Sequence, residues 1–222
     1  CPEVSNAISC KMEFMVSDAK IRLRDIKLYS AAMKNSWESE AGLTLRSFER
    51  TADDVIQSKE AYITPAEVVD ITKSMQVDGH LVWSAPSDGE WTILRIGHVN
   101  EGKKNAPAPP EGTGWECNNL SVVGHDAHFK GYIGRLTDGV LKGGLLDGML
   151  LDSWECSTQM WTKEMEEVFS KRCGYGLRSW LPALLGYVVD DAQTTSRFLL
   201  DWRGVVGDLF ANKFYRRMAE LG

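Results

Sequence analysis

The sequence lacks the features that most quickly assign a protein to a functional class. It has no apolar run close to the ~20 residues that a membrane helix needs. Its net charge of −6 offers no basic surface for nucleic acid or an anionic membrane. It also lacks the glycine patterns of a nucleophile elbow, a Walker loop or a dinucleotide fingerprint. We therefore predict no membrane span and no nucleic-acid partner.

Cysteine is scarce, with five residues at irregular spacing. An odd set without CxxC pairs indicates neither a zinc site nor a disulfide framework, so we expect most of these thiols to be free and at least partly buried. The chain begins at Cys1 and not at methionine. We therefore expect a processed or fragmentary start, and the lack of a signal peptide says nothing about location.

Tryptophan, in contrast, is abundant, with eight residues in 222. The apolar fraction of 43% and the charged fraction of 25% are those of a soluble globular chain. Some of the indoles belong in a core of this size. Exposed indoles are flat apolar platforms that suit the C–H faces of sugar rings, so the count also favours a carbohydrate ligand.

The first ninety residues carry patterns typical of β-structure. Apolar and charged residues alternate through Cys10–Val16 and Ala19–Leu28, which predicts strands. Gln76–Trp83 predicts a hairpin, because its central Asp-Gly pair suits the tight turns that strand twist requires. We therefore predict that residues 1–90 form a β-rich, sandwich-like region.

Residues 91–222 alternate predicted strands, loops and helices. The predicted elements are the strands Trp91–His98 and Leu145–Leu151, a helix from the N-cap Ser121 to about Leu141, and a helix from near Thr162 that ends at Gly174. A last helix is predicted from about Thr194, with the apolar stripe Phe198, Trp202, Val205 and Leu209. This alternation is typical of βα units and predicts the α/β fold class. A full (β/α)₈ barrel typically needs about 250 residues. The pattern therefore fits either a smaller α/β layer domain or a barrel that stops part-way.

Candidate site residues follow the two predicted strands. His98 lies at the end of the first strand, and Glu116 follows the long polar loop Val99–Thr113. Asp152 and Glu155 follow the second strand. Two carboxylates at neighbouring strand ends suit glycoside hydrolysis, with one as acid and one as base or nucleophile, and they also suit a hard cation such as calcium. Alternatively, the two glutamates are solvated loop charges and Asp152 caps a turn.

An ordered set of short motifs resembles a known family. The motifs are Trp91-Thr-Ile-Leu-Arg-Ile-Gly-His98, Gly114-Trp-Glu-Cys-Asn-Asn-Leu-Ser121, Asp152-Ser-Trp-Glu155, Gln159-Met-Trp-Thr162 and Phe198-Leu-Leu-Asp-Trp-Arg203. Together they resemble glycoside hydrolase family 106, the α-L-rhamnosidases, over residues 65–222. The family usually has an acidic and then a basic residue where this chain has Asn118 and Asn119, which weakens a charge-based role at those two positions.

The resemblance implies removal of terminal α-L-rhamnose from complex plant or microbial glycans by inverting, calcium-assisted hydrolysis. It implies a (β/α)₈ barrel flanked by β-sandwich domains. Because family members are much longer, we expect a fragment, in which residues 91–222 are the N-terminal part of a truncated catalytic barrel. We also expect an oligosaccharide or glycoside substrate and a secreted, periplasmic or cell-surface location.

The resemblance also suggests roles for individual residues. We predict Glu116 and Glu155 as the catalytic carboxylates, and Glu116 and Asp152 as calcium ligands. The predicted substrate-binding residues are His98, Asp152, Trp154 and Trp161.

Two other functions compete with the enzyme. The first is a non-catalytic carbohydrate-binding module that uses Trp115, Trp154 and Trp161 as stacking platforms. The second is a structural or interaction domain in which Val99–Thr113 is a surface insertion. Convergence of Glu116 and Glu155 on one cleft would favour the enzyme over the structural domain.

Overall fold

The computed structural model describes residues 29, 31–44, 59–100, 102–151 and 158–222. In chain order its α-helices are α1 (Trp37–Ala41), α2 (Val122–Gly131), α3 (Ile133–Asp138), α4 (Met165–Cys173), α5 (Ala192–Leu209) and α6 (Arg216–Leu221). Short 3₁₀ segments lie at Lys59–Ala61, Pro65–Glu67, Thr72–Ser74, Pro110–Gly112 and Arg178–Leu185, and a π-helical turn at Phe210–Tyr215 joins α5 to α6. None of the described helices combines the length and apolar character that crossing a lipid bilayer requires.

Helix α5 contributes the largest share of the described core. It begins where the Asp191 carboxylate accepts a hydrogen bond from the Thr194 backbone N–H at 2.7 Å, the usual way of satisfying a free amide at a helix start. One face of the helix is buried, and its members are Phe198, Leu199, Trp202, Val205, Val206 and Leu209. Met165 and Phe169 of α4 pack into the same cluster. The predicted helix and its apolar stripe are confirmed.

Gly204 lies inside α5, where glycine is usually unfavourable. Glycine inside a helix costs roughly 1 kcal/mol relative to alanine. A Cβ at this position would lie 2.7 Å from the Arg172 guanidinium of α4. Without that atom, Arg172 crosses the helix and its Nε donates to the Asp208 carboxylate at 2.6 Å. The glycine therefore leaves room over α5 for the Arg172 guanidinium, which forms an ion pair with Asp208.

The other predicted helices are also confirmed, with adjusted bounds. The Ser121 hydroxyl accepts a hydrogen bond from the Val123 N–H at 3.3 Å and caps α2. The predicted single helix is broken at Tyr132, whose φ of −123° and ψ of −80° are not helical, so α2 and α3 are separate. Helix α4 ends at Gly174 with φ of 80°, the left-handed conformation that glycine adopts without strain.

The predicted fold class is wrong. The described part of the chain contains isolated β-bridges and helices but no strand or sheet, so it shows neither a partial (β/α)₈ barrel nor a sandwich-like region. Trp91–His98 and Leu145–Leu151 form neither a strand nor a β-bridge with another described residue, and Leu150 is 92% exposed. Apolar and β-branched residues favour a strand only where they can pack against a neighbouring strand. No described segment pairs with these two. The strands predicted at Cys10–Val16 and Ala19–Leu28 lie outside the described residues.

The predicted hairpin is right in its turn and wrong in its strands. The Gly79 N–H donates to the Gln76 carbonyl at 2.9 Å, and the Gln76 N–H donates to the His80 carbonyl at 2.7 Å. One antiparallel bridge joins Met75 and Leu81. The Asp-Gly turn therefore forms, but no paired strand follows it among the described residues.

Candidate active site

A broad cleft brings together several of the predicted site residues. Its volume is about 1930 Å³, and its lining includes His98, Glu116, Gln159, Trp161 and Trp202. Pockets for drug-sized ligands are usually about 300–1,000 Å³. The cleft is therefore large enough for an oligosaccharide.

Three aromatic rings form a column from the core to the surface of the cleft. Trp202 of α5 is buried, and its ring lies 6.2 Å from that of Trp161 at an interplanar angle of 28°. The ring of Trp161 lies 6.0 Å from that of the exposed His98, at 19°. Stacked rings at such distances attract one another in addition to the area they bury. The buried Trp202 therefore holds the half-buried Trp161 in a fixed orientation in the wall of the cleft.

Glu116 lies at the end of a loop that folds back on itself. Its backbone N–H donates to the Lys103 carbonyl at 3.0 Å. The side chain of Asn105 closes the loop, since its Nδ2 donates to the Gly112 carbonyl at 3.0 Å and its Oδ1 accepts from the Gly114 N–H at 2.7 Å. The long polar stretch that precedes Glu116 is therefore an ordered loop that places this residue in the cleft wall.

The Glu116 carboxylate has a defined partner on the other side. Asn119 Nδ2 donates to Glu116 Oε1 at 3.2 Å. The backbone N–H of Asn119 donates to Gln159 Oε1 at 2.8 Å, and Gln159 Nε2 donates to the Cys117 carbonyl at 2.9 Å. The side-chain amide of Gln159 therefore joins the Glu116–Asn119 turn to the segment that carries Trp161.

His125 supports this turn from inside the protein. Its ring is buried, lies 4.9 Å from the ring of Phe214, and places Nε2 at 3.2 Å from the Asn119 carbonyl. A carbonyl oxygen can only accept, so Nε2 carries the proton in this bond. Burial, which disfavours the charged imidazolium, lowers the pKa of His125. The histidine is therefore a neutral packing residue.

Arg178 links two parts of the cleft wall. Its Nε and Nη2 donate to the two carboxylate oxygens of Glu166 at 2.8 and 2.9 Å, and its Nη1 donates to Asp70 Oδ2 at 2.7 Å. The paired bonds to Glu166 have the geometry that makes guanidinium–carboxylate contacts strong. Asp70 also accepts from the Thr72 hydroxyl at 2.6 Å. Nothing in the local sequence pairs Arg178 with Asp70, which lies far from it along the chain, so sequence analysis missed this contact.

The Asp70 carboxyl should titrate at unusually low pH. Hydrogen bonds from the Thr72 hydroxyl and N–H, and then from Arg178, lower the pKa of Asp70 to about 2. The pKa of Asp70 is lower in the folded chain than in the unfolded chain, so the ionised Asp70 carboxylate stabilises the fold. This stabilisation is present above about pH 4 and is lost as the pH falls through about 2. Thr72→Val and Arg178→Met should each raise this pKa, as measured by NMR titration of the carboxyl carbon.

Thr194→Val provides the matched control for this titration. Thr194 donates to Asp191 through the same pair of backbone and hydroxyl bonds, so the control variant should move the pKa of Asp191 and leave that of Asp70 in place. Equal pKa values of Asp70 in wild type and Thr72→Val would contradict the assignment.

The structure brings His98, Glu116 and Trp161 to one cleft, whereas Asp152, Trp154 and Glu155 lie outside the described residues. Convergence of Glu116 and Glu155 therefore stays a prediction. Sequence analysis missed the role of Trp202 in the ring column, because its spacing indicates only the core face of a helix. Within the described ranges, no group of three or more His, Cys, Asp or Glu side chains is placed to hold a metal ion.

Comparisons with known proteins agree with the motifs. A curated relative from Formosa agariphila, described as a "Putative beta-glucuronidase", is 39% identical over 171 residues, which cover 76% of this chain and 15% of the relative. The solved structure of a rhamnosidase from Novosphingobium sp. PP1Y is 28% identical with a TM-score of 0.66, over 88% of this chain and 19% of that one. The chain thus spans less than a fifth of either protein. The family model described as alpha-L-rhamnosidase matches residues 7–222, and the chain therefore belongs to glycoside hydrolase family 106.

Proposed function

We propose that this chain forms part of the substrate site of a glycosidase that removes terminal α-L-rhamnose from complex plant or microbial glycans. The observation that carries the proposal is the carboxylate of Glu116, which is held by Asn119 in the wall of an oligosaccharide-sized cleft beside the ring column. Family membership and the similarity to a solved rhamnosidase support the same substrate. A secreted, periplasmic or cell-surface location is part of the proposal.

Glu116 and Glu155 are the proposed catalytic pair. In an inverting reaction, one carboxylic acid protonates the leaving oxygen while the other carboxylate removes a proton from the attacking water on the opposite face of the sugar. Carboxyl groups in such enzymes are about 6.5–9.5 Å apart, which leaves room for that water. Glu116 lies in the described cleft wall, and Glu155 is proposed to face it.

Calcium bound by Glu116 and Asp152 is a further part of the proposal. Calcium takes roughly 6–8 oxygen ligands, and the described side chains contribute no cluster of three or more acidic or other metal-binding groups. The proposed carboxylate ligands are Glu116 and Asp152, and the remaining ligands would be other oxygen atoms, such as carbonyls and water.

Trp161 and the exposed His98 that stacks on it form the proposed sugar platform, because Trp202 fixes the ring of Trp161 in the wall of the cleft. Trp161→Ala should raise KM for a rhamnoside about 3- to 10-fold, since an aromatic contact contributes about 0.5–1.5 kcal/mol beyond its buried area. Trp161→Phe should keep most of the affinity. Trp115→Ala is the matched control, because Trp115 is 62% exposed and is not part of the cleft lining. A larger effect of Trp115→Ala than of Trp161→Ala would contradict this assignment.

Turnover of an aryl α-L-rhamnoside by the protein that carries this chain tests the function directly. The aryl β-glucuronide is the comparison substrate, because one relative is described by that activity. Glu155→Gln should abolish rhamnoside turnover. Preference for the glucuronide would overturn the proposed substrate, and rhamnose binding without turnover would favour a carbohydrate-binding module.

A further inference from the structure

We propose that Asn119 is a positioning residue, which holds the Glu116 carboxylate in the orientation that the reaction needs. The inference rests on the proposed function, since it concerns the same carboxylate. It does not need Asn119 to touch the substrate. Asn119 is 2% exposed, so its amide reaches Glu116 from within the protein.

The first support is that hydrogen bonds hold both the backbone and the side chain of Asn119. Its backbone N–H is bound by Gln159 at 2.8 Å, and its backbone carbonyl accepts from His125 at 3.2 Å. Its side-chain Oδ1 accepts from the Cys117 thiol at 3.3 Å, which leaves Nδ2 directed at Glu116 Oε1 at 3.2 Å. A side chain fixed at its backbone and at its oxygen cannot rotate its N–H away without breaking several bonds.

The second support is that these hydrogen bonds connect Asn119 to the segment that carries Trp161. Gln159 lies two residues before Trp161 of the proposed sugar platform, and its amide bonds both Asn119 and the Cys117 carbonyl. The same hydrogen bonds therefore set the position of the carboxylate relative to the platform. A shift of about 1 Å between a reacting group and its substrate can cost on the order of 10²-fold in rate.

Asn119→Asp tests the contact with little change of shape. It replaces the N–H donor by a carboxylate oxygen against Glu116 Oε1, and two adjacent carboxylates repel. At pH 7 the Tm of the variant should fall by roughly 2–4 °C, with a smaller fall at pH 4, where the pair shares a proton. Adding Glu116→Gln should cancel most of the loss, because the new amide can donate to the aspartate.

The catalytic readout separates positioning from simple packing. In Asn119→Asp, kcat should fall about 10²-fold with KM changed less than about 3-fold, and the limb of the pH–rate profile that depends on Glu116 should move to higher pH. Asn118→Asp is the matched control. It alters a hydrogen-bonded asparagine of the same turn whose side chain does not bond Glu116.

Two variants of Gln159 test the same positioning role if the Asn119→Asp protein does not fold. Gln159→Glu retains an oxygen that accepts from the Asn119 N–H, whereas Gln159→Ala removes it. The glutamate variant should therefore keep a clearly higher kcat than the alanine variant. Equal kcat values for wild type and Gln159→Ala would overturn the inference.

The outcomes for this inference and for the proposed function are distinct. Lack of rhamnoside turnover by the wild type would overturn the proposed function, while the Tm coupling between positions 116 and 119 would still report on the contact. Normal turnover together with an Asn119→Asp variant that matches Asn118→Asp in Tm, kcat and pH profile would overturn the positioning role alone. A Tm coupling with unchanged kinetics would show a structural contact and would also overturn it.

Discussion

Glu116→Gln should lower kcat for an aryl α-L-rhamnoside by about 10²- to 10⁴-fold, the range usually contributed by a positioned general acid or base. The substitution keeps the size and shape of the side chain, and the new amide oxygen can still accept from Asn119 Nδ2 at the position now 3.2 Å away. The fold should therefore be retained, and the loss should appear in kcat more than in KM. Steady-state kinetics together with a thermal melt measure both.

Glu111→Gln is the matched control for this variant. Glu111 belongs to the same loop, in the 3₁₀ turn Pro110–Gly112, and is exposed. Its neutralisation changes the net charge by the same amount as Glu116→Gln but should leave kcat within about 2-fold, since an exposed charge far from a reacting group is screened. Equal kcat losses in the two variants would point to a general charge effect and would remove Glu116 from the mechanism.

Calcium addition distinguishes two roles of Glu116. If Glu116 is a calcium ligand, added calcium should raise the Tm of the wild type and should raise that of Glu116→Gln much less, because a ligand stabilises only the form that binds it. If Glu116 acts only in proton transfer, both proteins should respond equally. The kinetic loss is expected in either case, so the melts decide between the roles.

The elements predicted correctly from sequence are those set by local physical chemistry. The stripe of α5, the Ser121 cap and the Gly174 end each depend on residues within one or two helical turns. The predicted strands failed because strand formation requires a partner that local alternation does not supply. Trp91–His98 shows this, since it lines the cleft without a paired neighbour among the described residues.

The candidate site was predictable in its residue types and not in its supporting contacts. The motifs identify His98, Glu116 and Trp161, which the structure places in one cleft. The supporting hydrogen bonds join residues far apart in sequence, such as Asn119 and Gln159 or Arg178 and Asp70. Spacing along the chain carries no information about such pairs, and Asn119 even departs from the usual charge pattern at its position.

Phe198→Ala should destabilise the folded chain by about 3–5 kcal/mol, the usual cost of removing a buried phenylalanine side chain. Phe198 is 1% exposed, and its ring lies 5.7 Å from Trp180 and 5.8 Å from Phe169. The truncation would leave a cavity where α5 meets two other parts of the core. Because domains are stable by only about 5–15 kcal/mol, this single change removes a large share of the total, which urea unfolding measures.

The same variant should also weaken the site, because Trp202 lies one helical turn beyond Phe198 and supports Trp161 in the ring column. Leu200→Ala on the same helix is the control. Leu200 is 56% exposed, so its truncation should change the free energy of unfolding by no more than about 0.5 kcal/mol and leave rhamnoside binding unchanged. If Phe198→Ala unfolds at the same urea concentration as Leu200→Ala, then α5 does not organise the core, and the fixed orientation of Trp161 needs another explanation.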